Sequence, residues 1–119
     1  GAQELSRGAA AAAAADGAPL RGECPDCLAE PGAMALSACS ARPGCVSTYD
    51  DRPGSFVAPW ELEGPADRAA AGLARAAESL GGQVQICEQN YLHVVFEGAV
   101  DVEMQLSEGD GIVALRAAP

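Results

Sequence analysis

The chain has 119 residues, with 17 Asp and Glu against 7 Lys and Arg, for a formal net charge of -10. All seven bases are Arg; so acidic a surface repels phosphate backbones, which argues against nucleic acid and anionic membranes as partners. Hydrophobic residues reach 49%, but much of this is Ala and aromatics are only 4%, so the core is small and no apolar run is long enough to span a bilayer.

Residues 1–38 read as an Ala/Gly-rich extended arm, and residues 39–119 as a small α+β domain. A chain that starts at Gly1 is expected to be a processed or trimmed product. Residues 9–15 are pure Ala between Arg7-Gly8 and Asp16-Gly17. Ala is the best helix former, yet a helix this short is marginal alone in water. The large apolar residues of the arm are nearly all Leu5, Leu20, Leu28, Met34 and Leu36. Ordering each residue costs about 1–2 kcal/mol of backbone entropy, and Ala and Gly side chains return little by burial. The arm is therefore expected to run away from the domain and lie on a neighbouring chain.

Five cysteines punctuate the chain: Cys24, Cys27, Cys39 and Cys45 close together, and Cys87 apart. Cys24-Pro25-Asp26-Cys27 is a C-x-x-C that suits a redox pair, half of a zinc site or a small structural disulfide. No apolar strand precedes it, as redox motifs usually have. Four thiolates could hold zinc, but the five-residue gap between Cys39 and Cys45 is wide for a zinc knuckle. The reading adopted is two disulfides stapling a segment with almost no core of its own, in an oxidising compartment. Cys87 is left as a free, half-buried thiol.

Residues 39–65 read as loop, broken by Pro43-Gly44, Pro53-Gly54, Pro59 and Gly64-Pro65. Phe56, Val57, Trp60 and Leu62 are its candidate anchors. A helix is predicted over residues 66–80, with Ala66, Ala69, Ala70, Leu73, Ala76, Ala77 and Leu80 on one arc and Gly81-Gly82 as its stop. Four strands follow, at 83–88, 91–97, 100–106 and 112–116, joined by short turns. The fold class is α+β: one helix packed on a four-stranded antiparallel meander sheet, preceded by the irregular Cys/Pro/Gly/Ala-rich arm. The predicted core is Leu73, Leu80, Val84, Ile86, Leu92, Val94, Phe96, Val102, Met104 and Leu106.

Strand parity defines the opposite face, because opposed residues point the same way. A turn at 97–99 pairs Phe96 with Val100 and His93 with Glu103; one at 98–100 pairs Phe96 with Val102 and His93 with Gln105. Either way Tyr91, His93, Glu103 and Gln105 share one polar face. A turn at 88–90 would put Cys87 opposite Tyr91, on that face as well. His beside a carboxylate could act as a base and a thiol as a nucleophile, so Tyr91, His93, Glu103 and Cys87 form the candidate site. The bland reading is a solvated sheet face with a cross-strand polar pair.

Cys39-Ser40-Ala41-Arg42-Pro43-Gly44-Cys45-Val46-Ser47 resembles the domain of unknown function 1499 family, whose members show Cys, five residues, then Cys-Val-Ser. The likeness continues through Tyr91-Leu92-His93 and Asp101-Val102-Glu103-Met104, and covers about residues 39–116. The chain departs from the family at Ser40, Gly44 and Val100, and after Arg116 it ends Ala117-Ala118-Pro119 where the family tends to a basic tail. The resemblance implies a Cys39–Cys45 disulfide, which the Pro43-Gly44 turn would help to close, and Cys24–Cys27 is the expected second pair. It carries no settled enzymatic activity, and the family occurs in bacteria and in plastids.

No nucleophile-elbow, zinc-protease, dinucleotide or P-loop motif occurs, and no cofactor or metal set is read from the chain. The functional expectation is a non-enzymatic accessory subunit, held through residues 1–38 to protein subunits of a larger complex. With the resemblance, the complex is taken as a photosystem and the location as the thylakoid lumen of a chloroplast, the protein being peripheral rather than membrane-spanning. One alternative is a periplasmic or secreted bacterial binding protein of unknown ligand. Another is a thiol-redox protein using Cys24 and Cys27.

Overall fold

The computed structural model describes residues 24–40 and 43–119, so the Ala run at 9–15 and the rest of residues 1–23 lie outside the described residues. Pro65, fixed near φ -67°, opens helix α1 (Ala66–Ser79). Pro has no side-chain cap to offer, and Glu108 supplies one from 42 residues away: the Ala66 N–H donates to its Oε1 at 2.6 Å. The stop is a Schellman motif. Gly81 takes φ +92°, its N–H donates to the Glu78 carbonyl, and the Gly82 N–H donates to that of Ala77.

Four strands follow, β3 (Gln83–Glu88), β4 (Tyr91–Phe96), β5 (Val100–Ser107) and β6 (Ile112–Ala118). They pair antiparallel in the order β6-β5-β4-β3, so one helix packs on a four-stranded meander, as the periodicity predicts. The loop reading of residues 39–65 needs correction. Two-residue strands β1 (Val46–Ser47) and β2 (Trp60–Glu61) both pair antiparallel with the outer edge of β6, giving a sheet of six strands among the described residues. Thr48 fills the gap between them, its N–H donating to the Leu115 carbonyl and its Oγ1 accepting from the Leu115 N–H.

The main core lies between helix and sheet. Ala66, Ala70, Ala74 and Ala77 meet Val84, Leu92, Val94, Met104, Leu106, Val113 and Leu115. An Ala stripe keeps the helix close to the strands. Gly82 extends the tight fit: a Cβ there would meet Val94 Cγ1 at 2.5 Å and Phe96 Cζ at 2.9 Å. The helix is rotated slightly from the predicted arc, with Ala74 buried and Ala76 exposed. Leu80 leaves the core altogether at 78% exposed, because it is the C-cap and the chain has already turned away. Leu73, Phe96 and Val102 pack at the margin, half-buried. Phe56 and Trp60 are exposed, whereas Val57 and Leu62 anchor the 39–65 stretch.

The β4–β5 turn is residues 97–99, with Gly98 and Ala99 at positive φ, and pairs Phe96 with Val100 and His93 with Glu103. The β3–β4 turn differs from expectation. It is Gln89-Asn90 alone, both at positive φ, the mirror-image turn that suits the twist of a two-residue hairpin. Glu88 therefore opposes Tyr91 and Cys87 opposes Leu92. A bulge between Val84 and Ile86 then returns Val84 to the helix face, opposite Val94, and leaves Ile86 opposite His93. Ile86 is thus corrected from the helix core to the other face.

That other face is not solvent. Residues 28–38 form a strap across it, beginning after the 3₁₀ turn Pro25–Cys27. Leu36 is buried there with Tyr91 and Ala114, while Ala29 and Ile86 pack alongside. For this part of the arm, the expectation that it leaves the domain is corrected. One large aliphatic anchor and backbone hydrogen bonds to polar sheet residues hold it on its own sheet. Covered on both sides, β4 is buried at every position from Tyr91 to Val95.

Candidate functional site

The strap-covered face gathers the polar residues that the pleat sends away from the helix. β4 contributes Tyr91 and His93, and β5 contributes Asp101, Glu103 and Gln105. Arg116 on β6 opposes Glu103, and Ser47 on β1 opposes Arg116. Tyr91, His93, Asp101, Glu103, Arg116 and Ser47 are all at most 4% exposed. The solvated-face reading of Tyr91, His93 and Glu103 is therefore corrected: this is a second, polar interior. Asp101, Arg116 and Ser47 belong to it although the sequence reading did not single them out. Alternation alone would have found Asp101 with Glu103; nothing short of the strap shows that either is buried.

Glu103 is the hub. Its Oε1 accepts from the Ala29 N–H at 2.8 Å and from the Tyr91 hydroxyl at 3.1 Å. The first bond ties the strap to β5 across 74 residues of sequence. His93 opposes Glu103 in register but turns aside, its Nε2–H donating to Asp101 Oδ1 at 2.7 Å. Gln105 bridges two segments: its Nε2 donates to the Ala33 carbonyl, and its Oε1 accepts from the Tyr49 hydroxyl at 2.9 Å. The Ser47 hydroxyl donates to the Ser37 carbonyl at 2.7 Å. Glu103, Gln105 and Ser47 thus hold the strap by its backbone, at residues 29, 33 and 37.

Burial pushes the Glu103 carboxyl above its ordinary range, against the Ala29 and Tyr91 hydrogen bonds and the positive Arg116 that favour its ionised form. Burial, with the negative charge of Glu103 beside it, pushes the Tyr91 phenol well up. The Tyr91 phenol therefore keeps its proton at neutral pH. Cys87 does not join them. It sits on the helix face opposite Leu92 and packs against the main core, where burial and the nearby Glu78 and Glu88 push its thiol up. It is a half-buried free thiol, remote from His93 in facing, so no thiol–imidazole pair exists.

The other four cysteines are joined, Cys24 to Cys27 and Cys39 to Cys45, with Cα–Cα distances of 5.3 and 5.7 Å. The bridges sit at the two ends of the strap. Cys39 is fixed further by Asp50, whose Oδ2 accepts from its N–H, and by Arg52, which donates to its carbonyl. Arg52 and Asp50 pair at 2.6 Å, and this hydrogen-bonded guanidinium holds the Asp50 carboxyl far below the usual carboxylate range.

A groove of about 450 Å³ runs beside the strap, lined among others by Gly32, Met34, Asn90, Gln105 and Asp110. It reaches the edge of the polar interior at Tyr91 but does not open onto Glu103. Among the described residues no group of three or more His, Cys, Asp or Glu is placed to hold a metal ion, and no helix is long and apolar enough to cross a membrane. The arrangement orders a strap over a buried ionisable cluster and keeps the Cys87 thiol apart from it.

Comparison with known proteins adds one finding. A family model, described as protein of unknown function (DUF1499), matches residues 35–119, more than half of the chain. No curated protein and no solved structure matches it. The chain belongs to that family.

Proposed function

We propose that this member of the DUF1499 family is a non-enzymatic interaction module of an oxidising compartment. The observation that carries the reading is the strap: the cluster of residues suited to acid–base work is buried on the face it covers, and Glu103 is engaged in holding it. The two disulfides at the strap's ends support an oxidising location, since such bonds persist there. In its finer form the protein is a lumenal peripheral subunit of a photosystem in the chloroplast. What supports that form is the family's occurrence in plastids, the acidic surface and the Ala-rich stretch at 9–15. Residues 1–23 are then the segment that meets the neighbour.

Isolation of the tagged protein from its native membranes tests this. Co-isolation of chlorophyll-protein subunits, lost when residues 1–22 are deleted while the domain stays folded, is the expected result. Equal recovery of the partner without residues 1–22 would overturn it.

A second reading, a periplasmic or secreted protein, is favoured by a separate observation. The strap covers the second face of the sheet from its own chain. Migration of the native protein as a free monomer would favour that reading. Rapid labelling of Cys24 by a maleimide without prior reduction would instead favour thiol-redox work by Cys24 and Cys27.

A further inference from the structure

Glu103 on β5 and Arg116 on β6 occupy directly opposed positions, so a carboxylate and a guanidinium rise from the same face. Glu103 is 0% exposed and Arg116 2% exposed. Glu103 Oε1 is filled by Ala29 and Tyr91, but among the described residues Oε2 has no hydrogen-bond partner, and neither has Nε of Arg116. One is an acceptor only and the other a donor only. Native interiors rarely leave such groups unpaired, and a buried charge without partners is the costliest case.

Among the described residues, the neighbouring side chains do not supply the missing partners. Ser47, opposite Arg116, spends its hydroxyl on the Ser37 carbonyl and the Tyr49 N–H. His93, opposite Glu103, is turned to Asp101. A cation placed between the two groups would meet the guanidinium, and an anion would meet the carboxylate. Only a neutral group that both donates and accepts satisfies both.

We propose that the position between Glu103 Oε2 and Arg116 Nε is a binding site for one small hydroxyl-bearing molecule. It donates its O–H to the carboxylate and accepts the guanidinium N–H. Both residues are buried and the strap's Ala29 N–H binds Glu103, so the occupant is taken up as residues 28–38 dock. Two sources offer this chemistry, a retained water molecule or the hydroxyl of a small alcohol or polyol.

A crystal structure of the full chain, at a resolution that orders single waters, tests the site together with native mass spectrometry. The expected result is density within about 2.6–3.2 Å of both atoms. An isolated peak with unchanged protein mass identifies water, and extended density with a matching mass increment identifies a polyol. A direct Glu103–Arg116 hydrogen bond with no density between them overturns the proposal. In Arg116→Met the bridging density should vanish while the Ala29 and Tyr91 bonds to Glu103 persist. Undiminished density at Glu103 Oε2 in that variant overturns the role given to Arg116. Should the variant fail to fold, the wild-type density decides.

Discussion

Glu103 has a stability signature of its own. Burial raises its pKa in the folded state above the unfolded value, so folding favours the protonated carboxyl. That contribution is complete below the unfolded value of about 4.3 and declines as pH rises through the folded one. Glu103→Gln keeps an oxygen for the Ala29 N–H and the Tyr91 hydroxyl but cannot ionise. Relative to wild type, the variant should gain stability as pH rises from about 4 through the folded-state value, and hold a constant difference above it. Urea melts at a series of pH values measure this; a difference that stays flat throughout would show that the carboxyl is not desolvated. Cys87 invites a second measurement. Its half-buried, acid-flanked thiol should react slowly with a disulfide reagent at neutral pH in the native protein, and at the ordinary thiol rate in urea. Fast native labelling would place Cys87 outside the core margin.

The strap is the element that most changes the reading of this chain. Its one buried apolar side chain is Leu36, against Tyr91 and Ala114. Leu36→Ala should cost about 2–5 kcal/mol by lost burial and the cavity left behind. Denaturant midpoints with unchanged slope would report it, and a loss below about 0.5 kcal/mol would mean the strap barely contributes. Helix α1 and strands β3 to β6 were legible because apolar periodicities of about 3.6 and 2 mark them directly. The strap was not, because three of its attachments run from sheet side chains to its backbone, which leaves no pattern in its own residues. Reading β4 and β5 as one-sided followed from that omission, and so did placing Tyr91, His93 and Glu103 in solvent. The bulge between Val84 and Ile86 and the short turn Gln89-Asn90 explain the rest of the error. Two local irregularities moved Ile86 and Cys87 to opposite sides while keeping Val84 in place. The Asn at positive φ was the available clue to the turn.

At the scale of the whole molecule, a net charge of -10 on 119 residues opposes compaction by self-repulsion. Raising ionic strength from about 0.01 to 0.15 M shortens the screening length from about 30 to 8 Å, so the melting temperature should rise over that interval. A fall would indicate that local ion pairs such as Asp50–Arg52 outweigh the global repulsion. The strap also bears on the order of biosynthesis. It precedes in the chain every strand it covers, and its bond from Ala29 reaches Glu103, so it emerges from the ribosome long before its seat exists. At about 5–20 residues per second, the strap spends several seconds unsheltered. The two cystines bracketing it close over only 3 and 6 residues, so once the chain is in an oxidising compartment those pairs can join without waiting for the sheet. A strap with both ends looped has fewer conformations to search when it docks on β5 and β6. Cysteines joined in this way are withdrawn from mispairing with Cys87.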